Sequence, residues 1–180
     1  MRIISGYLKG RFIKTPIEIR PTEDKVRKAL FDILYNVEGL SILELFAGSG
    51  AVGIEALSRG AKEVVFVEQD KKVIKVLNTN LNTLGLNEKS EVLAMSAEKA
   101  IYFLNKHKRI FDIIFLDPPY YGRWSEKTLQ AISECAILQP LSYVVVQHFK
   151  KDTVPLKVNM LQFKRQERYG DTVLSFYQKK

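Results

Sequence analysis

Ser41-Ile42-Leu43-Glu44-Leu45-Phe46-Ala47-Gly48-Ser49-Gly50-Ala51-Val52-Gly53 is the stretch on which the fold turns. The apolar run at 41–45 reads as a buried strand, a glycine loop follows it, and helix-forming residues resume near Gly50. Gly48, Gly50 and Gly53 satisfy the G-x-G-x-x-G pattern, in which glycine lets the backbone turn tightly and approach a bound cofactor. Acidic Glu68 closes the next apolar run, where a carboxylate can accept hydrogen bonds from ribose hydroxyls. Both features serve any adenosine-containing cofactor, so they do not choose between NAD and S-adenosylmethionine.

Working outward, strand and helix patterns alternate. Strands are expected at 41–45, 64–67, 92–95, 112–116 and 143–147. Helices are expected from near Gly50, over 71–84 with Gly85 as its stop, near 98–104, and from 125 to about 137. Such alternation specifies a largely parallel sheet covered on both faces. The last two strands, near 158–164 and 172–178, are joined by too short a link for a parallel crossover, so they form an antiparallel hairpin. The expected fold is therefore α/β, with the Rossmann-like sheet of class I methyltransferases: seven strands, mainly parallel, ending in an antiparallel hairpin. Residues 1–20 read as a small N-terminal β arm and residues 21–180 as the main domain. In the arm, apolar positions look too few for core packing alone. Arg20-Pro21-Thr22 then opens a helix capped by Thr22 or Asp24, with Val26, Ala29, Leu30, Ile33 and Leu34 on one apolar face and Arg27 and Lys28 off it.

With 180 residues, 46% of them hydrophobic, the chain suits one well-buried core. Its net charge of +8 favours a polyanionic partner, and the excess of Lys and Arg is concentrated at the two ends. One cysteine rules out an intrachain disulfide, and two histidines offer no metal-ligand cluster. The start lacks a long apolar segment and no stretch approaches the length that spans a bilayer, so a cytoplasmic protein without membrane association is expected.

Glu44 bears on the cofactor. A carboxylate just before the loop would repel a pyrophosphate but could favour the ammonium and sulfonium charges of S-adenosylmethionine, directly or through water. The alternative is that Glu44 bonds the loop backbone. Ser96-Ala97, after the third strand, would lie near adenine, or Ser96 simply caps the next helix. Candidate cofactor residues are thus Glu44, Phe46, Ala47, Gly48, Ser49, Gly50, Glu68, Gln69, Ser96 and Ala97. A second candidate group follows the apolar run at 113–116: Asp117-Pro118-Pro119-Tyr120. It lies at a strand's carboxyl end, where open α/β sheets bind ligands, and joins acceptor carbonyls on a stiff backbone to an aromatic face. That corner suits a planar base carrying an exocyclic amine.

With those residues placed, the chain resembles the RsmD family of bacterial methyltransferases, which act on the exocyclic N2 of guanine 966 in 16S ribosomal RNA. The resemblance runs through Arg2-Ile3-Ile4-Ser5-Gly6, Lys9-Gly10-Arg11, Arg20-Pro21-Thr22, Leu45-Phe46-Ala47-Gly48-Ser49-Gly50, Glu55-Ala56-Leu57-Ser58-Arg59-Gly60-Ala61, Phe115-Leu116-Asp117-Pro118-Pro119-Tyr120 and Tyr169-Gly170-Asp171-Thr172. It implies S-adenosyl-L-methionine as cofactor, catalysis at Asp117 to Tyr120, and action on 16S rRNA in a partly assembled small-subunit particle; a monomer is the default expectation and does not follow from the resemblance. Arg2, Lys9, Arg11, Arg20, Arg27 and Tyr169 are the expected RNA contacts, with Arg20, beside the helix start, facing either RNA or the cofactor's carboxylate. Two departures stand out: Ser96 occupies a position where related enzymes carry Asp or Asn, and Gln147 precedes His148 where the family often shows Glu. The rival readings are a DNA adenine N6-methyltransferase and a non-catalytic basic RNA-binding assembly factor.

Overall fold

The structure is a computed structural model that describes residues 1–15, 24–119 and 123–180. Its helices are α1 (Asp24–Leu34), α2 (Ala51–Ser58), α3 (Lys71–Leu84), α4 (Ala97–Lys106) and α5 (Trp124–Glu134). Its strands are β1 (Ser41–Leu45), β2 (Glu63–Glu68), β3 (Ser90–Ala94), β4 (Phe111–Leu116), β5 (Leu138–Phe149), β6 (Lys157–Val158), β7 (Leu161–Tyr169) and β8 (Thr172–Lys179). They form one sheet in the order β3-β2-β1-β4-β5-β8-β7-β6. The first five strands pair in parallel, and β8 inserts antiparallel between β5 and β7. This is the expected class I methyltransferase sheet. The two-residue β6, too short to announce itself in the sequence, pairs with β7 and brings the count to eight.

The chain runs outward from β1 through β2 to β3, then returns to lay β4 on the other side of β1. Leu45 of β1 stands beside Leu116 of β4, so the glycine loop and Asp117 leave the sheet side by side at its switch point. Ligands of open α/β sheets bind in that crevice.

Alternation along the strands assigns each side chain to one of two cores. Ile42, Val64, Phe66, Ile113, Phe115 and Val145 face α2 and α3, whereas Leu43, Leu45, Val65, Val67, Ile114, Leu116, Val144 and Val146 face α4 and α5. α3 keeps the expected bounds: Asp70 caps it by accepting from the Lys72 N–H at 2.7 Å, and Gly85, at φ 70°, ends it. β5 starts five residues earlier than the expected 143. Pro140 interrupts its pattern, and the structure accommodates it beside a register shift in the β4 pairing.

The arm is held in two ways. Ile3, Leu8 and Ile13 are buried in the first core, so apolar packing does hold it. Its main chain is clamped as well: the Ile4 and Ser5 N–H groups donate to the Glu55 carboxylate at 2.8 and 2.9 Å. The Leu8 N–H donates to Ser58 Oγ at 3.0 Å, and Asn80 both accepts from the Lys14 N–H and donates to the Lys14 carbonyl at 2.9 Å. At Gly6, φ 82°, a Cβ would lie 1.7 Å from the Ser58 carbonyl oxygen, so only glycine fits. Arg27 is likewise not off the packed face. Its side chain is 0% exposed, lies 3.0 Å from Asp24 and 3.7 Å from Glu55, and donates to the Arg2 carbonyl. Burial lowers its pKa, against the opposing pull of Glu55 and Asp24.

Candidate active site

The loop after β1 is built on left-handed backbone. Phe46, Gly48 and Gly50 have φ of 58°, 56° and 78°, and the Ala47 N–H bonds the Val67 carbonyl at 2.9 Å, tying the loop to the end of β2. Gly53 is required for space: a Cβ there would lie 2.4 Å from the Phe66 ring and 2.6 Å from the Glu44 carboxylate.

Glu44 bonds the loop backbone, as one of the two readings of the sequence has it. It is 3% exposed and accepts from the Gly53 N–H at 2.8 Å and the Val52 N–H at 3.4 Å. Gly50, the residue at the cap of α2, offers no side-chain acceptor, so Glu44 serves as the helix's internal cap. Its carboxylate is therefore engaged by backbone and does not lie open in the crevice as direct charge contact with a cofactor would need. Burial raises its pKa to about 8. The two backbone bonds pull the other way, while neighbouring Asp117 pushes it further up. Donors at a helix N-terminus that would serve a pyrophosphate are here already occupied by a carboxylate. The loop thus fits an adenosine cofactor without phosphates better than a dinucleotide.

Glu68 ends β2 with both oxygens held by main chain. Oε2 accepts from the Gly48 N–H at 3.0 Å, and Oε1 from Gln69 and Asp70 at 2.7 and 2.9 Å. It is half-buried and fixed beside the loop. Ser96, after β3, is the N-cap of α4 and accepts from the Lys99 N–H at 3.5 Å, with Ala97 buried behind it. The loop residues Ala47 and Ser49 are also buried, and Phe46 packs against the second core.

Asp117 follows β4 directly and is half-buried; Pro118 is buried and Pro119 exposed. Across the parallel pairing, Leu116 aligns with Val146, which puts Gln147 beside Asp117. The Gln147 Nε2–H donates to Asp117 Oδ2 at 2.8 Å. Nothing in the sequence attaches a function to Gln147. The available signal was positional: both residues come immediately after apolar runs that form neighbouring strands. Tyr120 and Arg20 lie outside the described residues.

Of the residues expected at RNA, Arg2, Lys9 and Arg11 are exposed on the arm beside the exposed rings of Tyr7 and Phe12. Arg2 lies over the Phe12 ring at 4.7 Å, and Arg11 donates to the Thr83 carbonyl at 3.3 Å. Tyr169, partly buried against the first core, stands at the β7–β8 turn. Arg27 is buried and does not join this group.

The family model described as Conserved hypothetical protein 95 matches residues 1–178. The putative rRNA methyltransferase YlbH of Bacillus subtilis is 39% identical over 183 residues, covering 100% of this chain and 100% of that one. The ribosomal RNA small subunit methyltransferase D of Haemophilus influenzae is 37% identical over 155 residues, 82% of this chain and 78% of that one. A solved structure, the putative methyltransferase yhhF from Escherichia coli, superposes with a TM-score of 0.87 at 31% identity, covering 100% of this chain and 98% of that chain. Glycine loop, switch point, terminal hairpin and end-to-end likeness agree: the chain belongs to the RsmD family of class I methyltransferases.

Proposed function

We propose that this chain methylates the exocyclic N2 amine of a guanine in 16S ribosomal RNA, guanine 966 by the family resemblance, within a partly assembled small-subunit particle. The observation that carries the reading is the Asp117 corner: a carboxylate at the switch point, hydrogen-bonded by Gln147 and adjoining a loop whose helix terminus is already capped by Glu44. The loop from Phe46 to Gly50 would hold the cofactor, with Glu68 meeting ribose hydroxyls and Gln69, Ser96 and Ala97 flanking the adenine. Bound S-adenosyl-L-methionine supplies a sulfonium methyl group open to in-line displacement.

The guanine N2 lone pair is delocalised into the ring, so the protein has to localise it. The Asp117 carboxylate and the Pro118 carbonyl each accept one N–H of the amine, which favours a pyramidal nitrogen with its lone pair aimed at the methyl carbon. As the new N–C bond forms, the excess proton leaves the nitrogen for Asp117 or water. The Tyr120 ring is assigned to stacking on the base, which must first be unstacked from the RNA. Arg2, Lys9 and Arg11, exposed on one arm, are assigned to phosphates, and Tyr169 to the RNA surface beyond them.

Radiolabelled methyl transfer to small-subunit particles, naked 16S RNA and DNA in parallel tests the proposal. Label in particles or RNA, with none in DNA, is expected. Label confined to DNA moves the activity to adenine N6, and no transfer to any of the three leaves a binding protein.

A further inference from the structure

Gln147 is placed in a way that stability alone does not account for. It is 4% exposed at the carboxyl end of β5, and its Nε2–H donates to Asp117 Oδ2 at 2.8 Å. Its Oε1 is buried and finds no donor among the described residues. A buried amide oxygen without a donor is destabilising, and an apolar side chain of the same length would remove that penalty. The polar choice instead serves Asp117. The amide orientation follows from chemistry, since turning Oε1 toward the carboxylate would set two acceptors against each other.

We propose that Gln147 is a positioning residue for methyl transfer, its amide N–H fixing the rotation of the Asp117 carboxylate so that the carboxylate meets the incoming amine in one orientation. The inference rests on the reading of Asp117 given above. An amide suits this place because it donates at every pH. The Glu that the family often shows here donates only while it keeps its proton, and charged groups near the pair bear on that: Glu44 on β1 interacts with Asp117, and Arg27 on α1 acts on Glu44 electrostatically. On β5 the adjoining His148 is satisfied elsewhere, its Nδ1–H donating to the Phe149 carbonyl at 3.0 Å and its Nε2 lying 2.9 Å from Ser175 Oγ.

Three variants test this, with radiolabelled transfer to small-subunit particles, calorimetric titration of S-adenosylhomocysteine and thermal unfolding as readouts. Gln147→Met should lower kcat on the order of ten- to a hundredfold, the scale of losing orientation at a reacting group, with cofactor affinity unchanged and Tm equal or higher. In an Asp117→Ala background the same substitution should cost nothing further, because Gln147 acts through Asp117. Gln147→Glu should be active only while the introduced carboxyl keeps its proton and can donate; its activity relative to wild type should fall as pH rises and recover on acidification. Normal kcat in Gln147→Met alongside a collapsed Asp117→Ala overturns the positioning role and leaves the Asp117 reading intact. Normal kcat in Asp117→Ala removes both. A Gln147→Met protein that unfolds early, or a Gln147→Glu ratio independent of pH, assigns Gln147 to structure.

Discussion

Two buried carboxylates at either end of α2 perform similar local tasks in opposite settings. Glu44 accepts from Val52 and Gly53 at the start of the helix; Glu55, near its end, accepts from Ile4 and Ser5 of the arm. Glu55 also faces two guanidinium groups, Arg59 at 2.9 Å and Arg27 at 3.7 Å. Glu44 makes no ion pair among the described residues: burial pushes its pKa to about 8, its two backbone bonds oppose this, Asp117 adds to it and Arg27 pulls it down. The difference separates a clamp from an active-site neighbour. Where guanidinium groups contact a buried acid it fastens one segment to another, and where none does burial leaves its protonation sensitive to solution conditions.

Removing the clamp should produce the largest effect. Glu55→Ala leaves the fully buried Arg27 without its interior counter-charge and strips two arm N–H groups of their acceptor. Breaking one partner of such a pair costs about 3–5 kcal/mol. Urea unfolding should show a destabilisation of that size, and limited proteolysis should cut the arm first; an unchanged midpoint would mean that Ile3, Leu8 and Ile13 hold the arm by themselves.

On the other side of the comparison, Asp117→Ala should cost about a hundredfold in turnover, the scale of a positioned acid-base or polar group, with little change in cofactor affinity or unfolding. Failure through weakened cofactor binding would instead make Asp117 part of the loop's support.

Glu44 sharpens the contrast through pH. Its folded pKa, about 8, is raised from an ordinary 4.5, so the native state holds a proton that the unfolded chain gives up. Its contribution is therefore fully present below about 4.5 and is lost as pH rises through about 8. Glu44→Gln has nothing to lose, and its stability relative to wild type should rise across that window. A gap independent of pH would show that Glu44 stays ionised throughout, as a clamp would.

Replacing Lys9 and Arg11 with Ala is the mildest change. Every phosphate left without its cation should reduce the salt slope of particle binding by roughly one unit, with Tm and cofactor affinity intact. An unchanged slope would move RNA recognition away from the arm to the basic carboxyl-terminal strands.

The sequence was most legible where structure is local. α3 and β1 keep their expected bounds because caps, stops and apolar periodicity lie within each segment. The glycine loop and the Asp117 corner carried their own spacing. The arm's packing was hidden in the sequence because Ile3, Leu8 and Ile13 are five residues apart, a spacing that matches neither strand nor helix, and their burial depends on partners some fifty residues away. Arg27 looked like surface for the same reason: Glu55, which makes its burial tolerable, belongs to another helix. Glu44 admitted two roles in sequence, and the approach of Val52 and Gly53, which reveals the backbone role, is visible only in the fold. Gln147 carried no motif at all; its meaning comes from a partner thirty residues upstream on the neighbouring strand.

The central claim is that the Asp117 corner directs a methyl group to a guanine amine. It is tested most directly by digesting RNA from treated small-subunit particles to nucleosides and identifying the methylated one by mass spectrometry. N2-methylguanosine at up to one per particle, strongly reduced with Asp117→Ala, is the predicted result. N6-methyladenosine, or an undiminished rate of N2-methylguanosine formation with Asp117→Ala, would contradict it.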